Sequence, residues 1–171
     1  MKIGILSDSH KDTKNTKEFI EHLKNNGATH LVHAGDFEIV ENLESLHGAN
    51  LPYVSVFGNN DIKLLEYQSS FNIHREPHYF LVKDIKFKLM HLPYYLAKDD
   101  AHIVVYGHTH QVSIEYNNKT LILNPGEICA RESGKHEALM LKIDEKTYTV
   151  THYYRYKNEK EIRERTMEFL R

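Results

Sequence analysis

The chain opens with a short apolar run over residues 2–6 that stops at Ser7-Asp8-Ser9-His10, and Phe19, Ile20 and Leu23 follow at helical spacing before Gly27. A second run, 30–33, stops at Ala34-Gly35-Asp36, after which Ile39, Leu43 and Leu46 mark another helix. A third, 53–57, stops at Gly58-Asn59-Asn60-Asp61 ahead of a mixed stretch through Leu64 and Leu65. From Pro77 the rhythm changes to brief strand-like segments, 79–82, 85–90, 103–106, 112–116 and 121–123, with hairpin turns read at Lys83-Asp84 and Asn117-Asn118. Two further strands, 138–143 and 148–156, flank Asp144-Glu145-Lys146. Strands this apolar need cover on both faces. The pattern therefore predicts an α/β fold, a four-layer α/β/β/α sandwich of two mixed sheets flanked by helices. Residues 1–156 are expected to form one domain. The alternating charges of 157–171 read as a C-terminal helix packed on that domain or on a partner subunit.

Composition narrows the chemistry. The 171 residues carry 22 Lys and Arg against 24 Asp and Glu, a formal net charge of −2, which disfavours a general nucleic-acid binder. No apolar run approaches the roughly 20 residues of a bilayer span, and the N-terminus lacks a signal-peptide profile. With one cysteine, Cys129, there is no intramolecular disulfide and no thiolate-based zinc module, as expected for a cytoplasmic protein. The 13 histidines stand out, because imidazole is the commonest metal ligand.

The unusual polar residues fall just after strands, where open α/β sheets place their ligands: Asp8 and His10, Asp36, Asn59, His91, then His108 and His110. If the backbone stays extended, Asp8 and His10 point to one side, as do His108 and His110. Seven nitrogen and oxygen donors without sulfur suit a pair of divalent ions of the Mn, Fe, Ni, Co or Zn group, with one carboxylate shared. Each piece alone has a plainer explanation. Ser7-Asp8-Ser9-His10 could cap the next helix, Gly35-Asp36 and Gly58-Asn59 are common turn dipeptides, and His91 could be a hydrogen-bonded core histidine. Their order and shared placement favour the metal reading.

The succession Asp8-x-His10, Gly35-Asp36, Gly58-Asn59-x-Asp61, His91 and Gly107-His108-x-His110 resembles the calcineurin-like metallophosphoesterase superfamily, in particular its small single-domain bacterial and archaeal phosphodiesterases. Leu123-Asn124-Pro125-Gly126-Glu127 extends the likeness to about residue 143. The resemblance implies one metal held by Asp8, His10, Asp36 and His110 and another by Asp36, Asn59, His91 and His108, with manganese the expected ion. It also implies in-line attack on a small phosphoester by a hydroxide bridging the two ions, with His10, Asn59 and Asp61 in the catalytic constellation. Two departures matter. Asn60 follows the metal-binding Asn where the family's phosphatases carry a proton-donating His, which tilts the expectation towards diesters or activated monoesters. His91-Leu92-Pro93-Tyr94-Tyr95 leads quickly to Asp99-Asp100, a shorter and more aromatic site wall.

Asp61 reads either as a carboxylate that orients a ligand histidine or as a helix cap. Of the remaining histidines, His33 is the one whose strand leads to the site. Cys129 reads as a small buried residue rather than a thiol nucleophile. The rival to catalysis is a non-catalytic metal-binding scaffold or interaction protein of the same fold. A homodimer and the absence of membrane partners complete the expectations.

Overall fold

The computed structural model describes residues 1–96 and 100–171. Asp99, named above in the site wall, lies outside the described residues. Seven strands build the first sheet: β1 (Lys2–Leu6), β2 (His30–His33), β3 (Tyr53–Val56), β4 (Ile73–His74), and, later in the chain, β10 (Lys135–Ile143), β11 (Thr147–Tyr156) and β12 (Arg163–Leu170). Their order is β12-β11-β10-β1-β2-β3-β4, parallel from β1 to β4 and antiparallel from β1 to β12. The second sheet, β5-β6-β7-β9-β8, uses β5 (His78–Val82), β6 (Ile85–Leu89), β7 (Ile103–Val105), β8 (Val112–Asn117) and β9 (Thr120–Pro125). Both sheets are mixed, as the sequence predicts.

The core follows from the alternation in each strand. Ile3, Ile5, Val32, Val56, Leu139 and Leu141 of the first sheet face Phe87, Leu89, Ile103, Val105, Leu121 and Leu123 of the second. On the other face of the first sheet, α1 (Thr13–Asn25) buries Phe19, Ile20 and Leu23, and α2 (Val40–His47) buries Leu43 and Leu46. Each such side chain contributes about 1.5–3 kcal/mol when fully removed from water. Asp12 caps α1 by accepting the Asn15 N–H at 3.1 Å. On the outer face of the second sheet, Leu96, which ends the 3₁₀ turn Pro93–Tyr95, packs with Ala101 and Tyr106 against Met90, Val104 and Ile122. Tyr94 in that turn is 74% exposed, so it is not a packed wall residue.

The C-terminal segment corrects the sequence reading. Residues 163–170 form no helix; they add β12 to the free edge of β11, with Val150 opposite Met167 and Tyr148 opposite Phe169. Met167 and Phe169 stand two residues apart and both turn partly inward, which is strand periodicity, and Phe169 packs beside Tyr116. The unpaired N–H and C=O groups along β11 outweigh the helix propensity of the charged residues.

Candidate metal centre

Parallel pairing sets the site. Leu6 lies beside His33 in the β1–β2 ladder, so the loops 7–10 and 34–36 leave one end of the sheet together. Leu89 lies beside Val105 in the β6–β7 ladder, so His91 and the loop 107–110 leave the second sheet at a common end. Backbone bonds then tie the loops: the Asp8 N–H donates to the Gly35 carbonyl at 3.0 Å, His10 N–H to Asp36 O at 2.8 Å, and Gly107 N–H to His91 O at 3.1 Å.

Local conformation differs from the extended backbone expected. Asp8, His10, Asp36, His108 and His110 all have positive φ, from +46° to +67°. Left-handed turns, rather than strand alternation, aim these side chains inward. Such a conformation costs on the order of 1–3 kcal/mol at a non-glycine residue and clusters at functional sites. Glycines make room beside them. A Cβ on Gly58 would lie 2.2 Å from Asp36 Oδ1 and 2.3 Å from Asp36 N, and one on Gly107 would lie 2.1 Å from Ser7 Oγ and 2.9 Å from Asp8 Oδ2.

The candidate ligands converge. His10 Nε2 is 3.4 Å from His110 Nε2 and 3.8 Å from Asp36 Oδ2. His91 Nε2 is 3.5 Å from Asp36 Oδ2 and 2.9 Å from Asn59 Oδ1, and His110 Nε2 is 3.3 Å from Asp8 Oδ1. The His108 ring lies against that of His91, centroids 5.1 Å apart, and its backbone N–H donates to Asp8 Oδ2. Donor atoms of Asp8, Asp36 and His91 lie mutually within 4.8 Å, as do those of His10, His110 and Cys129. Asp8 and His91 are fully buried, and His10 and Asp36 nearly so.

These donors fit divalent cations. Asp8 Oδ1 is buried and has no hydrogen-bond partner among the described residues, a costly state for a carboxylate that a cation would relieve. Burial raises the Asp8 pKa, against the opposing pull of His91. Burial acts the same way on Asp36, but its contacts with His91 and Asn60 hold its carboxyl well below the usual range. Burial opposes protonation of His91, yet its pairing with Asp36 raises its pKa on balance.

Around these residues lies a set of supports, several of which sequence reasoning missed. His110 Nδ1–H donates to Glu127 Oε2 at 2.6 Å, His10 Nδ1–H to Glu38 Oε2 at 3.1 Å, and His91 Nδ1–H to the Ala34 carbonyl at 2.8 Å. The fully buried Glu127 also accepts N–H groups from Arg131, Glu132 and Ser133. No spacing rule marks Glu38 or Glu127 as inward-turning; only their contacts do.

Asp61 takes neither role foreseen for it. It accepts the backbone N–H groups of Glu38 and Gly58, both at 2.7 Å, rather than a ligand histidine's N–H, and its side chain makes no helix-cap bond. It pins the loops bearing Asp36 and Asn59 together. His33 is equally a strut. Gly35 N–H donates to its Nδ1, so Nε2–H donates to Ser9 Oγ at 2.7 Å, and burial takes its pKa down to about 3. The Cys129 thiol donates to Glu127 at 3.0 Å, and burial, then Glu127, push its pKa well above the ordinary value, which removes it as a nucleophile. A cavity of about 280 Å³ opens beside Asn59, lined also by Arg75 and Glu76.

The profile of the calcineurin-like phosphoesterase superfamily domain matches residues 1–147. Phosphodiesterase MJ0936 of Methanocaldococcus jannaschii is 29% identical over 160 residues, covering 86% of this chain and 96% of that protein. A solved archaeal phosphodiesterase superposes with a TM-score of 0.73 at 26% identity, over 98% of this chain and 100% of its own. Vacuolar Protein Sorting 29 of Cryptosporidium parvum reaches 0.80 at 18% identity, over 99% and 98%, a likeness of fold alone. In sequence and in architecture, the chain belongs to the calcineurin-like phosphoesterase superfamily.

Proposed function

We propose that this protein is a cytoplasmic, binuclear divalent-metal-dependent phosphodiesterase acting on small phosphoesters. Asp8, His10, Asp36 and His110 would hold one ion and Asp36, Asn59, His91 and His108 the other, with manganese the first choice and Ni, Co, Fe or Zn able to serve. When bound, the ions supply positive charge to phosphoryl oxygens and activate a water for in-line displacement. The observation that carries the reading is the buried Asp8 Oδ1, which has no hydrogen-bond partner among the described residues and faces His110 Nε2 at 3.3 Å where four loops meet.

The chain's own residues do the rest. Asp8 and Asp36 are the only carboxylates in the proposed ligand set, so two dications leave the centre net positive and attractive to an anionic phosphate. Asn59 and Arg75 border the adjoining cavity and would contact the ester group that leaves or stays. Asn60 is committed to Asp36 through both its backbone N–H, at 2.9 Å, and its side-chain amide, at 2.7 Å, and has no acidic proton to give. A diester or aryl ester, whose leaving group needs little protonation, suits such a site better than an alkyl monoester. The described residues include no helix long and apolar enough to cross a membrane.

The test removes metal and restores Mn2+, Ni2+, Co2+ or Zn2+ singly, following aryl phosphodiester and monoester cleavage. Diester turnover lost in Asp36→Ala and His108→Ala supports the reading. Stoichiometric metal uptake with no turnover on any phosphoester would favour a metal-binding scaffold.

A further inference from the structure

Three of the candidate ligand histidines have a defined Nδ1 partner, and these do not rest on equivalent acceptors. His10 and His110 each donate Nδ1–H to a carboxylate, Glu38 at 3.1 Å and Glu127 at 2.6 Å. His91 donates to a neutral backbone carbonyl, Ala34 O, at 2.8 Å. In each case Nε2 is the nitrogen left facing the centre, so Nδ1 bonding fixes which atom is offered as a ligand. A carboxylate does more than a carbonyl, because its full negative charge raises the basicity of the imidazole it holds.

The two carboxylates are themselves set with care. Glu127 is fully buried and receives, besides His110, three backbone N–H groups, the hydroxyl of Ser133 and the Cys129 thiol, and these bonds fix its carboxylate in place. Glu38 has its own left-handed backbone, φ +64°, and its side chain is shared between His10 and the Lys11 ammonium at 2.9 Å. Arg131 comes within 3.9 Å of the same carboxylate. Both His10 and His110 fall in one half of the proposed centre, together with Asp8. His91 and Asn59 belong to the other half, which adds no carboxylate beyond the shared Asp36.

From this asymmetry we infer that Glu38 and Glu127 are positioning residues that make the half formed by Asp8, His10, Asp36 and His110 the tighter of two unequal metal sites, filled first. The inference rests on the binuclear reading above and adds an order of loading to it. Removing a carboxylate behind a ligand histidine weakens metal binding by about 10–100-fold. The loss should fall on one site only. Lys11 and Arg131 partly neutralise Glu38, whereas among the described residues no Lys or Arg forms an ion pair with Glu127, so Glu127 is the stronger of the pair.

Calorimetric titration of metal-free protein with Mn2+ tests this, using Glu38→Gln, a conservative change at a partly exposed residue, and Glu127→Gln. Wild type is expected to take up two ions in separable steps. Glu38→Gln should weaken the tighter step about tenfold and Glu127→Gln more, with the weaker step unmoved. Because Glu127 also braces residues 131–133, its variant is read alongside the melting temperature of the metal-free protein; Glu38→Gln carries the decision if that temperature falls. Equal weakening of both steps, or no change in either, overturns the inference while leaving the binuclear reading intact. Uptake of fewer than two ions by the wild type overturns both.

Discussion

Replacing Gly58 by alanine is the sharpest perturbation the geometry offers. The added Cβ would sit 2.2 Å from Asp36 Oδ1 and 2.3 Å from the Asp36 backbone nitrogen, whereas real Cβ contacts stay beyond 3.0 Å, so Asp36 or its loop must retreat by about 0.8 Å. The obstacle includes backbone, so a rotamer change cannot absorb it. Overpacking of this kind costs about 1–3 kcal/mol of stability. The functional cost is larger, because Asp36 is the proposed shared ligand and a displacement near 1 Å at a catalytic constellation costs about 100-fold in rate. Gly134→Ala is the matched control: its φ is +70°, but no atom lies within 4 Å of the new Cβ, so only backbone strain of about 1 kcal/mol is added. Thermal melts, Mn2+ titration and diester turnover are measured on both variants. Gly58→Ala is expected to remain folded yet lose metal affinity and about two orders of magnitude in turnover, while Gly134→Ala loses stability alone. Wild-type affinity and turnover in Gly58→Ala would refute the close approach of these loops.

Other expectations follow from single residues. Asp61→Asn replaces an acceptor of two backbone N–H groups by an amide that can accept at only one oxygen, so it should cost about 1–3 kcal/mol in chemical denaturation. His33 is held neutral with its pKa lowered to about 3 from 6.5 in the unfolded chain, so the unfolded state binds the extra proton in that window. Stability is then complete above pH 6.5 and falls on acidification by about 1.4 kcal/mol per pH unit towards pH 3. Urea midpoints measured across that range should show a shallower slope in His33→Phe, and an unchanged slope would contradict the assignment. Aryl diesters should be cleaved faster than aryl monoesters; the reverse order would defeat the argument from Asn60.

Much of the site was legible because its chemistry coincides with chain punctuation. Asp8, Asp36, Asn59, His91, His108 and His110 follow apolar runs, and glycines at 35, 58 and 107 mark where a backbone must come close. Parallel pairing then made convergence a consequence of strand order. What stayed hidden depends on three-dimensional partners. The left-handed turns at the candidate ligands are stabilised by inter-loop bonds such as Asp8 N–H to Gly35 O, which no local propensity reports. Glu38 and Glu127 look like ordinary surface acids until His10 and His110 are found against them. The tail misled because charges at residues 163, 164, 165 and 168 satisfy a solvated helix as well as an edge strand, and only β11 decides between them. Asp61 illustrates a subtler miss, since its proximity to the site was anticipated but its acceptor role to two backbone groups was not.

The most direct measurement is a crystal structure of the protein grown with Mn2+, with anomalous scattering recorded at the manganese edge. Two peaks per chain, one among Asp8, His10, Asp36 and His110 and one among Asp36, Asn59, His91 and His108, are the expected result. A single peak, or none at these side chains, would contradict the binuclear centre on which the proposed activity depends.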